Sequence, residues 1–99
     1  MIIEGITSTG MQFAIDKAVL TDVRFLRAAR KMSSKNEAEQ VSGADDLLLM
    51  LFPEGSEAEA ALFEHCTDEN GNIPIARVYE EVGEIIRIAR DEDPDVKKS

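Results

Sequence analysis

His65 and Cys66 are the side chains of this sequence best suited to nucleophilic or metal chemistry, and each is the single residue of its type. They are adjacent in a segment with helical spacing, where neighbouring side chains point about 100° apart. A base and a nucleophile in that arrangement cannot face each other. No further His or Cys is present to complete a zinc site. We therefore expect both residues to pack at the core or at its rim.

The acidic turn at 68–72 resembles the start of a calcium-binding loop. When Asp68 is counted as position 1, Ile73 occupies the position that requires glycine. When Gly71 is counted as the glycine of position 6, Cys66 occupies position 1, where the loop requires an acidic ligand. Both registers fail, so we predict no metal site.

The remaining candidates for chemistry are carboxylates and a glycine-containing segment. Glu80, Glu81 and Glu84 are typical of a solvated helix face, and no acid is isolated within an apolar stretch. The segment 5–10 lacks the Lys-Ser/Thr pair of a phosphate-binding loop. We predict no catalytic residues and no cofactor.

The clearest structural signal in the chain is the stretch 68–90. Its Asn-Gly turn leads to Pro74, which suits the first position of a helix because its missing N–H would be unpaired there. Ile85 and Ile88 widen the apolar face of this helix beyond what one small core needs. They either meet two neighbouring helices or form a surface for self-association or a partner helix. The apolar face itself follows helical spacing through Ile75, Val78, Tyr79, Val82, Ile86 and Ala89.

Three further helices are predicted upstream. The first begins after Asp16 or Thr21 and ends near residue 33, and the second covers about 37–52 with Gly43 as a weak point. The third starts at Glu57, because Ser56 and Glu59 form a capping box. Residues 11–15 alternate like a strand, but no second convincing strand is found to pair with them.

The predicted fold is therefore all-α: a small single domain at 1–90 of about four helices. It has an extended N-terminal arm at 1–15 and a disordered acidic tail at 91–99. The chain of 99 residues has 43% apolar residues and a single cysteine. It also lacks the basic start and long apolar run of a secretion signal. These features favour a soluble protein of a reducing cytoplasm.

Charge is distributed unevenly along the chain. The net charge is −9, which disfavours nucleic acid and anionic membranes as partners. Six basic and two acidic residues nevertheless give residues 16–35 a charge of +4. Three interpretations are open: salt bridges within the fold, head-to-tail docking on the acidic face of the next copy, and nucleic-acid binding. The candidate docking residues on this helix are Arg24, Arg27, Arg30 and Lys31.

Three stretches resemble the tail assembly chaperones of long-tailed bacteriophages. They are 13–26, the leucine-rich 47–55, and 62–75 with the helix that follows it. The family shows a leucine-rich segment, a helix, an acidic turn with glycine, and an apolar-Pro pair that opens a last helix. This sequence differs from the family in having Val23 where an aromatic residue is common, and in having a basic first helix.

The resemblance implies a non-catalytic protein of the bacterial host cytoplasm that binds the tape measure protein during tail assembly. It also implies self-association, with spirals as the expected form, and a longer version of the protein made by ribosomal frameshifting. Lys97 and Lys98 are a candidate site for that frameshift, since two lysine codons can form a slippery run.

The alternative from a different class is a small acidic inhibitor or antitoxin-like regulator that covers a basic protein surface. The net charge of −9 is compatible with it. A small enzyme is the third class, and no residues can be nominated for its active site.

Overall fold

The computed structural model describes residues 1–92. A two-stranded antiparallel sheet precedes five helices, which corrects the all-α prediction. In chain order the elements are β1 (Ile2–Ile6), β2 (Gln12–Asp16), α1 (Lys17–Leu20), α2 (Val23–Met32), α3 (Glu37–Leu51), α4 (Glu57–Cys66) and α5 (Ile75–Glu92). The last helix passes the predicted end at residue 90. The rest of the predicted tail, 93–99, lies outside the described residues.

The predicted N-terminal arm is a β-hairpin, and its first strand was missed. Ile3 pairs with Ile15, and Gly5 pairs with Phe13. The alternation of apolar and polar residues in β1 is hard to recognise because the second of its two inward-facing positions, Gly5, has no side chain. A Cβ atom at Gly5 would lie 2.6 Å from Cζ of Phe13 and 3.4 Å from Cγ2 of Ile88, so the missing side chain is replaced by these two neighbours.

The predicted first helix is two helices. Asp16 caps α1, since its Oδ1 accepts a hydrogen bond from the N–H of Ala18 at 3.0 Å. Thr21 ends α1 rather than starting a helix. Asp22 then caps α2 by accepting from the N–H of Arg24 at 2.7 Å. Two N-capping aspartates six residues apart thus start two separate helices.

The start of α4 agrees with its predicted capping box, and α5 begins one residue after Pro74, the predicted first residue of that helix. Ser56 Oγ accepts from the N–H of Glu59 at 3.1 Å. The Glu59 carboxylate reaches back one residue further than in a standard capping box, and accepts from the N–H of Gly55 at 3.0 Å. Pro74 immediately precedes α5, and its carbonyl accepts from the N–H of Val78 at 3.2 Å.

Gly43 permits close packing of α2 against α3. A Cβ atom at this position would lie 2.6 Å from the carbonyl oxygen of Ala28 and 2.8 Å from Cβ of Lys31. The glycine that weakens α3 by propensity is therefore what lets the two helices approach.

One core joins the hairpin to the helices. α5 contacts β1, α3 and α4, while α2 packs mainly on α3. Leu62, Ile85 and Cys66 are its largest fully buried side chains. The other buried apolar residues of this core are Ile3, Met11, Phe13, Ile15, Leu20, Phe25, Ala28, Leu47, Leu48, Phe52, Val78, Val82 and Ala89.

Candidate interaction surface and the adjoining polar cluster

The solvent side of α2 combines apolar and basic side chains. Phe25 and Ala28 bury the opposite side of this helix in the core. Val23, Leu26, Arg27 and Arg30 stand at i, i+3, i+4 and i+7, so they share one exposed stripe, which we call the α2 face. Val23 is 58% exposed and Leu26 is 57% exposed. Val23 is the first residue of α2 and Leu26 lies one turn further along, so both apolar side chains are exposed in the N-terminal part of the helix.

A depression lies beside the α2 face. It has a volume of about 330 Å³ and is lined by five apolar residues, by Thr21 and Asp22, and by Arg90 from the C-terminal end of α5. The apolar residues are Leu20, Val23, Phe25, Leu26 and Ala29. The surface is therefore concave and mainly apolar, with a cationic side chain at its border. Such a shape suits one or two apolar side chains of a partner.

The four predicted basic residues of α2 divide into two pairs. The Arg24 guanidinium makes a bidentate salt bridge with Asp22, in which Nε donates to Oδ1 at 3.0 Å and Nη2 donates to Oδ2 at 2.8 Å. Hydrogen bonds from the Arg24 side chain and backbone lower the pKa of Asp22 to about 2. Lys31 Nζ lies 3.2 Å from Asp46 Oδ2 on α3. Salt bridging within the fold thus accounts for these two residues.

Arg27 and Arg30 form the other pair. Both are exposed, and neither makes an ion pair with any residue in the described part of the chain. They lie on the same stripe as Val23 and Leu26. The charge that the fold leaves uncompensated on α2 is therefore placed next to its exposed apolar side chains.

Ile85 and Ile88 do not form the predicted association surface. Ile85 is 0% exposed and lies at the centre of the core. Ile88 is half-buried and packs against the same core, with its Cγ2 directed toward Gly5. The reason is the β-hairpin, which covers the side of α5 that an all-helical fold would have left open.

A polar cluster was also missed by sequence reasoning. Glu81 was expected on a solvated face, but it is only 6% exposed. Thr9, from the hairpin turn, lies with its Oγ1 2.5 Å from Glu81 Oε1, 2.8 Å from His65 Nε2 and 3.0 Å from Thr7 Oγ1. The cluster connects the turn to α4 and α5. Its position in the helical pattern was the feature that indicated burial, because Glu81 is three residues after Val78 and four before Ile85, which both lie on the buried stripe.

The hydroxyl of Thr9 has one proton, and this fixes the direction of its three hydrogen bonds. It donates to the Glu81 carboxylate, so it must accept from both Thr7 and His65. His65 Nε2 therefore carries a proton and cannot remove one from Thr9. These contacts connect the hairpin turn to α4 and α5, so we interpret the cluster as a structural clamp.

The neighbouring Ser8 makes a second connection to α5. Its N–H donates to Glu84 Oε1 at 2.6 Å and its hydroxyl to Glu84 Oε2 at 3.0 Å. The backbone hydrogen bond from Ser8 is the main cause of the lowered pKa of Glu84. We call the contacts of Ser8 and Thr9 with His65, Glu81 and Glu84 the turn clamp.

Two further groups, a carboxylate oxygen and a thiol, lie buried near the turn clamp. Glu81 Oε2 is buried and has no hydrogen-bond partner among residues 1–91. The Cys66 thiol is buried, and burial, followed by the nearby Glu81 charge, raises its pKa. A thiol with a raised pKa is less reactive at neutral pH. Within the described residues, no group of three or more His, Cys, Asp or Glu side chains is placed to hold a metal ion.

Comparison with protein families, curated proteins and solved structures gives no match to this chain. Among the described helices, none combines the length and apolar character that crossing a membrane requires.

Proposed function

We propose that this protein is a non-catalytic tail assembly chaperone of a long-tailed phage or prophage. It binds the tape measure protein in the cytoplasm of the bacterial host and keeps it soluble until the tail is built. The observation that carries this proposal is the α2 face, where Val23 and Leu26 are exposed beside arginines without ion pairs in the described part of the chain. Exposed apolar residues combined with free charge are typical of a protein-binding surface.

The physical requirement of such a chaperone fits the character of this chain. A long helical protein that exposes apolar faces before assembly would aggregate unless it were covered. Several copies of a small domain can cover it, and a net charge of −9 on each copy would keep the complex dispersed. The segment 62–75, which carries much of the resemblance to the family, covers the end of α4, the acidic turn and the start of α5.

Two further partners belong to the same proposal. One is the protein itself, in a head-to-tail oligomer that forms a ring or spiral and presents a repeated binding surface along the tape measure protein. The other is a longer frameshifted version of this chain. Its candidate frameshift site at Lys97 and Lys98 lies outside the described residues.

Co-expression with the long helical protein encoded downstream tests the chaperone proposal. We expect the long protein to become soluble and to co-elute with several copies of this one after affinity capture. Leu26→Glu should reduce the captured amount, whereas Val41→Glu should not, since Val41 is similarly exposed, at 55%, but lies on α3 and does not line the depression beside the α2 face. A long protein that stays insoluble with both the short and the extended version would refute the proposal.

An acidic inhibitor or antitoxin-like regulator is the second candidate. It is favoured by exposed acids in the first turns of α3 and α4, of which Glu37 and Glu57 are examples. Such a protein would capture a basic globular partner whose binding is weakened by Glu37→Lys or Glu57→Lys and unaffected by Leu26→Glu.

A further inference from the structure

Two exposed surfaces of opposite charge lie at opposite ends of α5. The first is the α2 face, whose depression is bordered by Arg90 near the C-terminal end of α5. The second is the segment 68–75, which leads into the N-terminal end of the same helix. At about 1.5 Å per residue, Ile75 and Arg90 are about 22 Å apart along the axis of α5. One copy of the protein can therefore use both surfaces at once.

The segment 68–75 exposes two isoleucines, Ile73 and Ile75, among polar residues that include the exposed Glu69. Ile73 is 43% exposed and Ile75 is 70% exposed. Residues 64–80 contain four acids and one arginine, which gives a net charge of −3. On α2 and its flanks, residues 22–35 contain five basic residues and one acid, which gives +4. The two surfaces are thus alike in apolar character and opposite in charge.

The turn that opens this segment is rigidly built. Asp68 Oδ1 accepts hydrogen bonds from the N–H groups of Asn70 and Asn72, at 2.9 and 3.0 Å. The N–H of Asp68 donates to the carbonyl of Asn72 at 2.8 Å. A surface fixed in this way loses little conformational entropy when it is bound.

We infer that the α2 face of one copy binds the segment 68–75 of a second copy. In this contact Ile73 and Ile75 enter the depression beside Val23 and Leu26. Arg27 and Arg30 then face the acidic surroundings of the segment, where Glu69 is exposed. The inference rests on the proposed function: the α2 face links the copies, the assembled copies together bind the tape measure protein, and Leu26→Glu reduces capture because it breaks the assembly.

Charge opposes the symmetric alternatives. Two α2 faces brought together would place Arg27 and Arg30 against the same residues of the other copy, and two acidic segments would repel in the same way. The contact is therefore between unlike surfaces, so each added copy leaves one surface free at either end. Such an interface produces open chains or rings rather than a closed dimer.

Complementation between two damaged variants tests the inference. Leu26→Glu disrupts binding by the α2 face. Ile75→Lys disrupts binding by the segment 68–75, because it places a cation opposite Arg27 in the proposed contact. In sedimentation velocity we expect the wild-type protein to show assemblies that grow with concentration. Each variant alone should need at least tenfold more protein to assemble. An equimolar mixture should form a dimer that grows no further, because one intact surface of each kind remains.

Val41→Glu is the matched control and should assemble like the wild type, and circular dichroism should show unchanged helicity in all three variants. The inference is overturned if the mixture does not combine, if Ile75→Lys assembles normally, or if the wild-type protein is monomeric at every concentration. Its failure is distinct from failure of the chaperone proposal. If the protein assembles through this contact but the tape measure protein stays insoluble, only the chaperone proposal is refuted. If the tape measure protein becomes soluble but the sedimentation results contradict the contact, only this inference is refuted.

Discussion

The α2 face and the turn clamp both contain charged side chains, yet the fold uses these charges in opposite ways. In the turn clamp, the carboxylates of Glu81 and Glu84 accept hydrogen bonds from the hairpin turn. On the α2 face, Arg27 and Arg30 have no such partner among the described residues. Charged residues are thus hydrogen-bonded within the fold where a loop packs over their helix, and they stay exposed where no element among the described residues covers them.

Apolar residues show the same contrast. Ile85 and Leu26 both occupy amphipathic helices, but the hairpin covers one and nothing described covers the other. The comparison separates residues that stabilise the domain from residues free for a partner. The following predictions probe it from the largest expected effect to the smallest.

Ile85→Lys should destabilise the domain far more than the same change at Ile75. The free energy of unfolding should fall by more than about 4 kcal/mol, because a core side chain is lost and a charge is buried. Since small domains have about 5–15 kcal/mol in total, cooperative unfolding should weaken or disappear. Ile75→Lys, at a position 70% exposed, should remain within about 1 kcal/mol of the wild type. Thermal unfolding followed by circular dichroism measures both. Equal stability of the two variants would show that Ile85 is a surface residue after all.

Thr9→Val should destabilise the domain by about 2 kcal/mol, since it leaves the buried Glu81 carboxylate without its hydrogen-bond donor. Adding Glu81→Leu should restore part of this loss, because an apolar pair leaves no buried charge to satisfy. Urea denaturation of the two single variants and the double variant gives the coupling energy. Additive effects would mean that Thr9 and Glu81 do not interact in solution.

The order and starts of the long helices could be predicted from the sequence because each start depends on local chemistry. Ser56 and Pro74 act within one helical turn of themselves, and α4 and α5 each begin at the residue that follows them. The resemblance to the chaperone family added an expected function, which no comparison tests.

The hairpin and the turn clamp could not be predicted in this way because they depend on contacts between distant residues. The inward-facing position of Gly5 has no room for a side chain because Phe13 and Ile88 fill that space. Glu81 is buried only because Thr9, 72 residues earlier, supplies its hydrogen bond. The misplacement of Ile85 has the same origin: without the hairpin, nothing in the sequence indicated what would cover the second side of α5.

The acid sensitivity of the two regions should differ in its pH window. The pKa of Asp22 is lowered from 3.8 to about 2 in the folded protein by Arg24, and Ser8 lowers the pKa of Glu84 below 4.5. A lowered folded pKa means that the unfolded chain binds more protons, so each group stabilises the fold above its unfolded pKa and loses that effect as pH falls through the folded value. Both groups are partly exposed to solvent, which screens their interactions, so we expect modest effects.

Urea denaturation at pH 7, 4 and 2.5 should therefore show two separable changes. Glu84→Gln should lower stability at pH 7 and flatten the decline that begins near pH 4.5, whereas Asp22→Asn should flatten mainly the decline between pH 3.8 and about 2. Glu80→Gln, at an exposed site of α5 outside the turn clamp, is the control for removal of one negative charge. If it changes the profile as much as Glu84→Gln, general charge repulsion governs the acid response, and the hydrogen bonds from Ser8 do not stabilise the folded hairpin.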